Sequence, residues 1–300
     1  MPEDGLPASA AAAVLAQRPA VALPRIFVIN LDRDSARLAN IRRQLSAAGL
    51  DFERQPGVLA SNVPDPLRRY FLTTDGKLSS TLRLGEVGCY ASHLAIHDRV
   101  ANGQFGRALI LEDDINIPLD FSVLLRALLA VMPVDWDIVR LSNPPKRSFV
   151  AAARIDDRHE LVRYTTVPNT AGAYLISPSG AKKFLSGATP RWRAIDEDMR
   201  CPWEFGLLTL GVVPPPCSIA AGFGSSIDDL EDRGLAPGMH WRKLIEIAKF
   251  VENFHRARDG IKIFGLSTWL RCLGREMSNE LRRQGRANSG SANFSRFRVS

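Results

Sequence analysis

R-A-L-I-L-E-D-D, residues 107 to 114, decides the fold. Ala108 to Leu111 is a short apolar run, too short for a helix and suited to a strand buried on both faces. Glu112, Asp113 and Asp114 follow at once and so stand at the strand's carboxyl end, where open α/β sheets bind their ligands. Adjacent carboxylates in a cleft repel one another unless a cation joins them, and a hard divalent ion with oxygen ligands is the natural occupant. Such an ion can hold a diphosphate and act as Lewis acid and template. An isolated E-D-D is more often a solvated loop, so the reading depends on what surrounds it.

Upstream, Arg25 to Leu31 reads R-I-F-V-I-N-L between Pro24 and Asp32, as a buried first strand should. Asp34 or Ser35 then caps a helix that keeps Leu38, Ile41, Leu45 and Ala48 on one face and ends at Gly49. Phe52 to Val58 offers a weaker second strand, and the segment to Ser80 reads as irregular with one short helix. Gly85 to Ala101 is helical, with Val87, Tyr90, Ala91, Leu94 and Val100 turned inward. Downstream, a helix follows Pro118, with Phe121, Leu124, Leu125 and Leu128 at i, i+3, i+4 and i+7. Strands are expected at Trp136 to Leu141 and Ala173 to Ile176. Strands alternating with helices predict an α/β domain with a mainly parallel sheet. Strand signals stop after Pro214-Pro215-Pro216 and Gly222-Phe223-Gly224.

Residues 1–23 are Ala-rich but carry Glu3, Asp4 and Arg18, which a signal peptide would not, and read as a disordered leader. A catalytic domain is expected over 24–225, basic helices over 239–284 and a disordered tail over 285–300. The net charge of +7 is uneven: His240 to Ser300 holds 13 Lys and Arg against 5 Asp and Glu, or +8, which leaves −1 for the remainder. A basic tail on a near-neutral body suits a polyanionic partner, anionic lipid or nucleic acid. Ile261, Phe264, Leu266, Trp269, Leu270 and Leu273 mix with Lys262, Arg271 and Arg275, which fits a helix lying on anionic lipid or packing on the domain. The tail's aromatics sit within apolar runs rather than between basic residues, so nucleic acid is not the expected partner. No stretch reaches the roughly 20 apolar residues of a membrane span. Four dispersed cysteines, Cys89, Cys201, Cys217 and Cys272, read as reduced thiols in a cytoplasmic protein, peripheral at most on the inner face of a membrane.

Several chemistries are excluded by their motifs. There is no G-x-x-x-x-G-K-[ST] loop, no G-x-G-x-x-G after a strand and no G-x-S-x-G elbow. His93 and His97 stand at i, i+4, but Leu94 breaks the H-E-x-x-H pattern, so His93 reads as a packed or hydrogen-bonding residue near the acids. Ile195-Asp196-Glu197-Asp198 forms a second acidic cluster, placed in a loop, that can face the same cleft.

I-F-V-I-N-L-D-R-D-S-A-R (26 to 37), L-G-E-V-G-C-Y-A-S-H (84 to 93), A-L-I-L-E-D-D (108 to 114), T-A-G-A-Y-L-I-S-P-S-G-A (170 to 181) and I-D-E-D (195 to 198) together resemble glycosyltransferase family 25. The blocks follow the family's order over roughly residues 24 to 215. The resemblance implies a GT-A-like, Rossmann-related fold, a UDP-sugar donor, often UDP-galactose, usually Mn²⁺, and inversion at the anomeric carbon. It puts Glu112, Asp113 and Asp114 at the metal and diphosphate motif. Asn30, Asp32, Arg33 and Arg37 fall in the first-strand block, where the base and ribose bind. Gly88, Ser92 and His93 match the block before the acids, and Asp196 and Asp198 match a second D-x-D. Arg193-Ala194-Ile195 departs from the family's Pro-Val or similar pair, and the basic tail finds no counterpart.

On this reading the partners are a nucleotide-sugar donor and a glycan acceptor, lipid-linked, of a lipooligosaccharide or other surface polysaccharide. An inverting transfer needs a base near the acceptor hydroxyl, and Asp196 or Asp198 suits that task, with Asp114 at the diphosphate. The competing readings are an inactive relative that only binds glycan or nucleotide, and a nucleic-acid-binding protein.

Overall fold

A computed structural model describes residues 22–73, 75, 77–78, 82–142, 149–220, 253–255, 257–258, 260–262 and 264–274 of the 300-residue chain. The elements are β1 (Arg25–Asn30), α1 (Ser35–Ala47), β2 (Glu53–Pro56), α2 (Asp65–Arg68), α3 (Leu84–Ala101), β3 (Ala108–Glu112) and β4 (Ile115–Asn116). They continue with α4 (Phe121–Val131), β5 (Ile138–Arg140), β6 (Phe149–Arg154), β7 (Glu160–Tyr164), β8 (Ala173–Ile176) and α5 (Pro178–Leu185). Next come α6 (Ile195–Met199), α7 (Pro202–Phe205), β9 (Thr209–Val213) and β10 (Ser218–Ile219). The expected strand at 136–141 shrinks to its centre. The second acidic cluster, expected in a loop, opens α6 instead.

One 8-stranded sheet runs β2-β1-β3-β8-β5-β9-β7-β6. β1 is parallel to β2 and β3, and β5 is parallel to β9. β8 lies antiparallel between β3 and β5, and β7 antiparallel between β9 and β6. Six strands therefore share one direction, and β7 and β8 oppose it. The α/β class and the dominant strand direction are as expected, and the reversed β8 and the β6–β7 hairpin are additions. β4 pairs with β10, a two-residue strand beyond Pro216.

Alternation along the strands sorts the core into two layers. Phe27, Ile110, Tyr174 and Ile176 face α3 and α5, packing with Tyr90, Leu94 and Phe184. Ile26, Val28, Leu109, Leu111 and Leu175 face α1 and α4, packing with Ile41, Leu45, Leu125 and Leu128. Local signals fix the helices. Ser177 accepts the amide of Gly180 at 3.0 Å to cap α5, with Pro178 in its first turn. After α1, Gly49 takes a φ of +68°, which leads into Leu50 and β2. At α3, a Cβ on Gly88 would lie 2.4 Å from the carbonyl oxygen of Val58, so only glycine lets this helix close on the loop after β2.

Trp269 and Cys272 are buried, and the rings of Trp203 and His255 stack with centroids 6.0 Å apart, so residues of the basic extension pack on α7. Phe254, Leu266 and Leu270 remain more than half exposed. The expected leader, the boundary near 225 and the tail from 285 lie outside the described residues. Among the described residues no helix is long and apolar enough to cross a membrane.

Candidate active site

Asn30, Glu112 and Arg140 are the last residues of β1, β3 and β5, and those three strands run in one direction. Their carboxyl ends form a single edge of the sheet, the position at which open α/β folds take ligands. A cavity of about 390 Å³ lined by Arg107, Trp136, Ser177 and Lys183 lies at the opposite edge, away from the acids.

The three acids of E-D-D do not point together. Glu112 keeps the face of Ile110 and meets α3: its Oε1 lies 3.3 Å from His93 Nε2 and accepts from Cys89 Sγ at 3.9 Å. Asp113 turns to the α1 side, where its Oδ2 accepts from Asn30 Nδ2 at 2.6 Å and its Oδ1 from Arg37 at 3.3 Å. Burial raises the Asp113 carboxyl, opposed by Asn30 and Arg37. Asp114 stands at the tip. Its Oδ1 is buried without a hydrogen-bond partner among the described residues, and its carbonyl accepts from Ala220 N at 2.7 Å. Burial, then the charges of Glu112 and Asp113, push its carboxyl to about 6. An orphaned carboxylate oxygen between like charges is what a divalent cation relieves, so Glu112 and Asp114 fit such an ion while Asp113 is committed elsewhere.

The first-strand block is tied into one network. Asn30 also donates to the carbonyl of Asp34 at 2.9 Å, and its Oδ1 accepts from Arg54 Nε at 3.0 Å. Arg54 further bonds the Asn30 carbonyl at 3.1 Å and pairs with the exposed Asp32. Arg33 is exposed on the same turn. Ser92 accepts from Val58 N at 2.8 Å and donates to the Gly88 carbonyl at 2.7 Å, so it seats α3 and does not face the cleft acids.

His93 belongs to a buried relay. Its Nδ1 lies 2.9 Å from Tyr174 Oη, which lies 2.8 Å from His97 Nε2. Burial, then His93 and Arg191, hold His97 well below the usual histidine range, so it is neutral. Among the described residues the Nδ1 of His97 has no hydrogen-bond partner, which fits a bare acceptor. His97 Nε2–H then donates to Tyr174, Tyr174 to His93 Nδ1, and His93 Nε2–H to Glu112, so every proton in the chain points towards Glu112.

Asp196 and Asp198 separate as helix geometry demands, since two residues turn the side chain by about 200°. Asp198 is 2% exposed, its Oδ2 accepting from Tyr90 at 2.5 Å and its Oδ1 from Arg193 Nε at 2.8 Å. Burial raises its carboxyl, opposed by Arg193 and Tyr90. Asp196 is half-buried at the start of α6, and its charge acts on Cys89 and Arg140, as does that of Glu112. The two acidic clusters thus share one electrostatic environment through Glu112, Asp114 and Asp196.

Sequence reasoning missed Cys89, Tyr174, Arg54 and Arg140. Cys89 and His93 at i, i+4 was a readable signal. Arg140 is fully buried, and its contacts are Met199 Sδ at 3.2 Å and the Pro168 carbonyl at 3.5 Å, so it places a positive charge under the edge.

A family model described as glycosyltransferase family 25 (LPS biosynthesis protein) matches residues 23–199. A glycosyltransferase 25 family member of Anopheles gambiae is 29% identical over 178 residues, covering 55% of this chain and 29% of that protein. A putative glycosyltransferase of Haemophilus influenzae is 21% identical over 159 residues, 53% of this chain and 56% of its own. Procollagen galactosyltransferase 1-B of Xenopus laevis is 27% identical over 186 residues, 59% and 30%. The chain thus spans between 29% and 56% of the length of these relatives. Among solved structures, a mutant Drosophila galactosyltransferase 7 in complex with manganese, UDP-Gal and xylobiose shares 10% identity at a TM-score of 0.36, covering 73% of this chain and 79% of that one.

Proposed function

The chain belongs to glycosyltransferase family 25, and on that premise we propose that it moves a hexose, galactose from UDP-galactose, onto a glycan hydroxyl with inversion at the anomeric carbon. The observation that carries this is the shared edge, where the orphaned Asp114 oxygen and Glu112 stand beside the Asn30–Arg37–Arg54 network and where the charges of Glu112, Asp114 and Asp196 all act on Cys89. Relatives named procollagen galactosyltransferases favour galactose, and the family's description favours a lipopolysaccharide-type acceptor.

Glu112 and Asp114 would hold the divalent cation, Mn²⁺ in this reading, which when bound neutralises the charge developing on the departing nucleoside diphosphate. Asn30, Asp32, Arg33 and Arg37 border the nucleotide, with Asp113 ordering Asn30 and Arg37. The acceptor oxygen bonds to the anomeric carbon as the bond from that carbon to the diphosphate oxygen breaks, and the hydroxyl proton passes to a carboxylate. Asp196 suits this role better than Asp198, whose oxygens already accept from Tyr90 and Arg193. The remaining rate enhancement comes from positioning and fixed charge, to which buried Arg140 contributes.

A lipid-linked acceptor would bring the chain to an anionic membrane surface, for which exposed Phe254, Leu266 and Leu270 beside Lys262 and Arg271 are suited. The decisive test is UDP release by the purified protein from a panel of UDP-sugars, with Mn²⁺ and with EDTA, beside Asp114→Asn. Manganese-dependent release from one sugar, abolished by Asp114→Asn, supports the proposal. No release from any donor favours a binding-only relative.

A further inference from the structure

Cys89 and His93 lie one helical turn apart on α3, and both reach the same oxygen of Glu112. Sγ is 3.9 Å and Nε2 3.3 Å from Oε1, and the three potential ligand atoms all lie within 4.8 Å of one another. A tetrahedral zinc-class ion, bound at about 2.0–2.1 Å by N and O and about 2.3 Å by S, spaces its ligand atoms roughly 3.3–3.6 Å apart. Small side-chain movements therefore bring this trio to that spacing. The other nitrogen of His93 is 2.9 Å from Tyr174 Oη, the second partner that orients metal-ligating imidazoles; ligation through Nε2 moves the His93 proton to Nδ1, so that Tyr174 accepts it and the direction of the relay reverses. Burial, then the charges of Glu112, Asp196, Asp114 and Glu86, push the Cys89 thiol well above its usual range, so a bound ion must displace its proton, while the same negative charges attract a cation to the trio. The Glu112 side chain is 30% exposed, which gives an ion access from the cleft and leaves a fourth coordination position open.

We propose that Cys89, His93 and Glu112 form a second cation site, chemically distinct from the oxygen-only pair Glu112 and Asp114, that takes thiophilic ions of the zinc and cadmium class. Sulfur and imidazole select such ions over manganese and magnesium, which prefer oxygen. The site's geometry is independent of the proposed transfer. Its consequence rests on that reading: a zinc-class ion here withdraws Glu112 from the diphosphate cation and acts as an inhibitor.

The test is titration of the full-length, reduced protein with Cd²⁺ in the absence of nucleotide and acceptor, following the ultraviolet cadmium–thiolate absorption. One equivalent should produce the band in the native chain and in Cys217→Ser, and none should appear in Cys89→Ser or Cys89→Ala, whose folds are checked by circular dichroism. His93→Ala should weaken Zn²⁺ binding, measured by competition with a chromophoric chelator, by about tenfold or more. No band in the native chain, or an undiminished band in folded Cys89→Ser, overturns the site. Neither result bears on UDP-sugar turnover, so failure here and failure of the transferase reading are separable.

Discussion

Tyr90 donates its hydroxyl proton to Asp198 Oδ2 across 2.5 Å, so α3 holds the first turn of α6 through one buried bond. Tyr90→Phe leaves that carboxylate one donor short, at a cost of about 1.5–3 kcal/mol, to be read from the midpoint of urea unfolding. Asp196→Asn, by contrast, should leave stability within about 0.5 kcal/mol and lower donor turnover by at least about 100-fold. Equal turnover in Asp196→Asn and the native protein would remove this residue from the role of base.

Asp114 sets a pH dependence whose sign follows from its carboxyl at about 6. A raised carboxyl binds its proton more tightly when folded, so its favourable contribution is complete below the unfolded value near 4 and is lost as pH rises through about 6. Well above pH 6 the native protein should therefore be less stable than Asp114→Asn by about 3 kcal/mol. Mn²⁺ should recover that difference at pH 7 and progressively less as pH falls through 6, since proton and cation compete for one carboxylate. Thermal melts of both proteins from pH 4 to 8, with and without Mn²⁺, measure all three statements.

Tyr174→Phe removes the oxygen between His93 and His97 and leaves two buried imidazole nitrogens unpaired. The expected cost is about 2–4 kcal/mol, more than a lone buried hydroxyl, because both neighbours lose their partner. A double cycle with His97→Phe should recover part of it, and strictly additive costs would show that the three rings do not act as a chain.

Gly88→Ala drives a methyl group into the Val58 carbonyl, a backbone atom with no rotamer through which to yield. Destabilisation of about 1–3 kcal/mol is expected. Because Ser92 bonds Val58 N on the same contact, hydrogen exchange at that amide should rise with it.

Much of the fold was legible because single-segment patterns govern it. The periodic face of Leu38, Ile41 and Leu45 and the run from Ala108 to Leu111 became α1 and β3 within a residue or two. The reversed β8 was not legible as a direction, since the run Ala173 to Ile176 is equally apolar whichever way it points. The β6–β7 hairpin escaped because Phe149–Arg154 reads F-V-A-A-A-R, whose three consecutive alanines show no alternation. In the site, the neighbourhood of the acids could be read and their division could not. Asp113 leaves Glu112 because the chain turns at the strand end, and Asp198 leaves Asp196 because the segment is a helix. Cys89 stands one helical turn from His93, a mixed pair that the spacing of the four cysteines from one another does not reveal.

The amide of Ala220 reaches the carbonyl of Asp114 at 2.7 Å, and Cys217 N bonds the Leu141 carbonyl at 3.0 Å. Residues 217–220 are thus stitched to the mouth of the cleft from outside the stretch of sequence that carries the family's signature blocks. A trimmed fragment that stops at residue 215 would keep both acidic motifs yet unfasten the turn that carries Asp113 and Asp114. The smallest fragment expected to retain the site extends through Ala220.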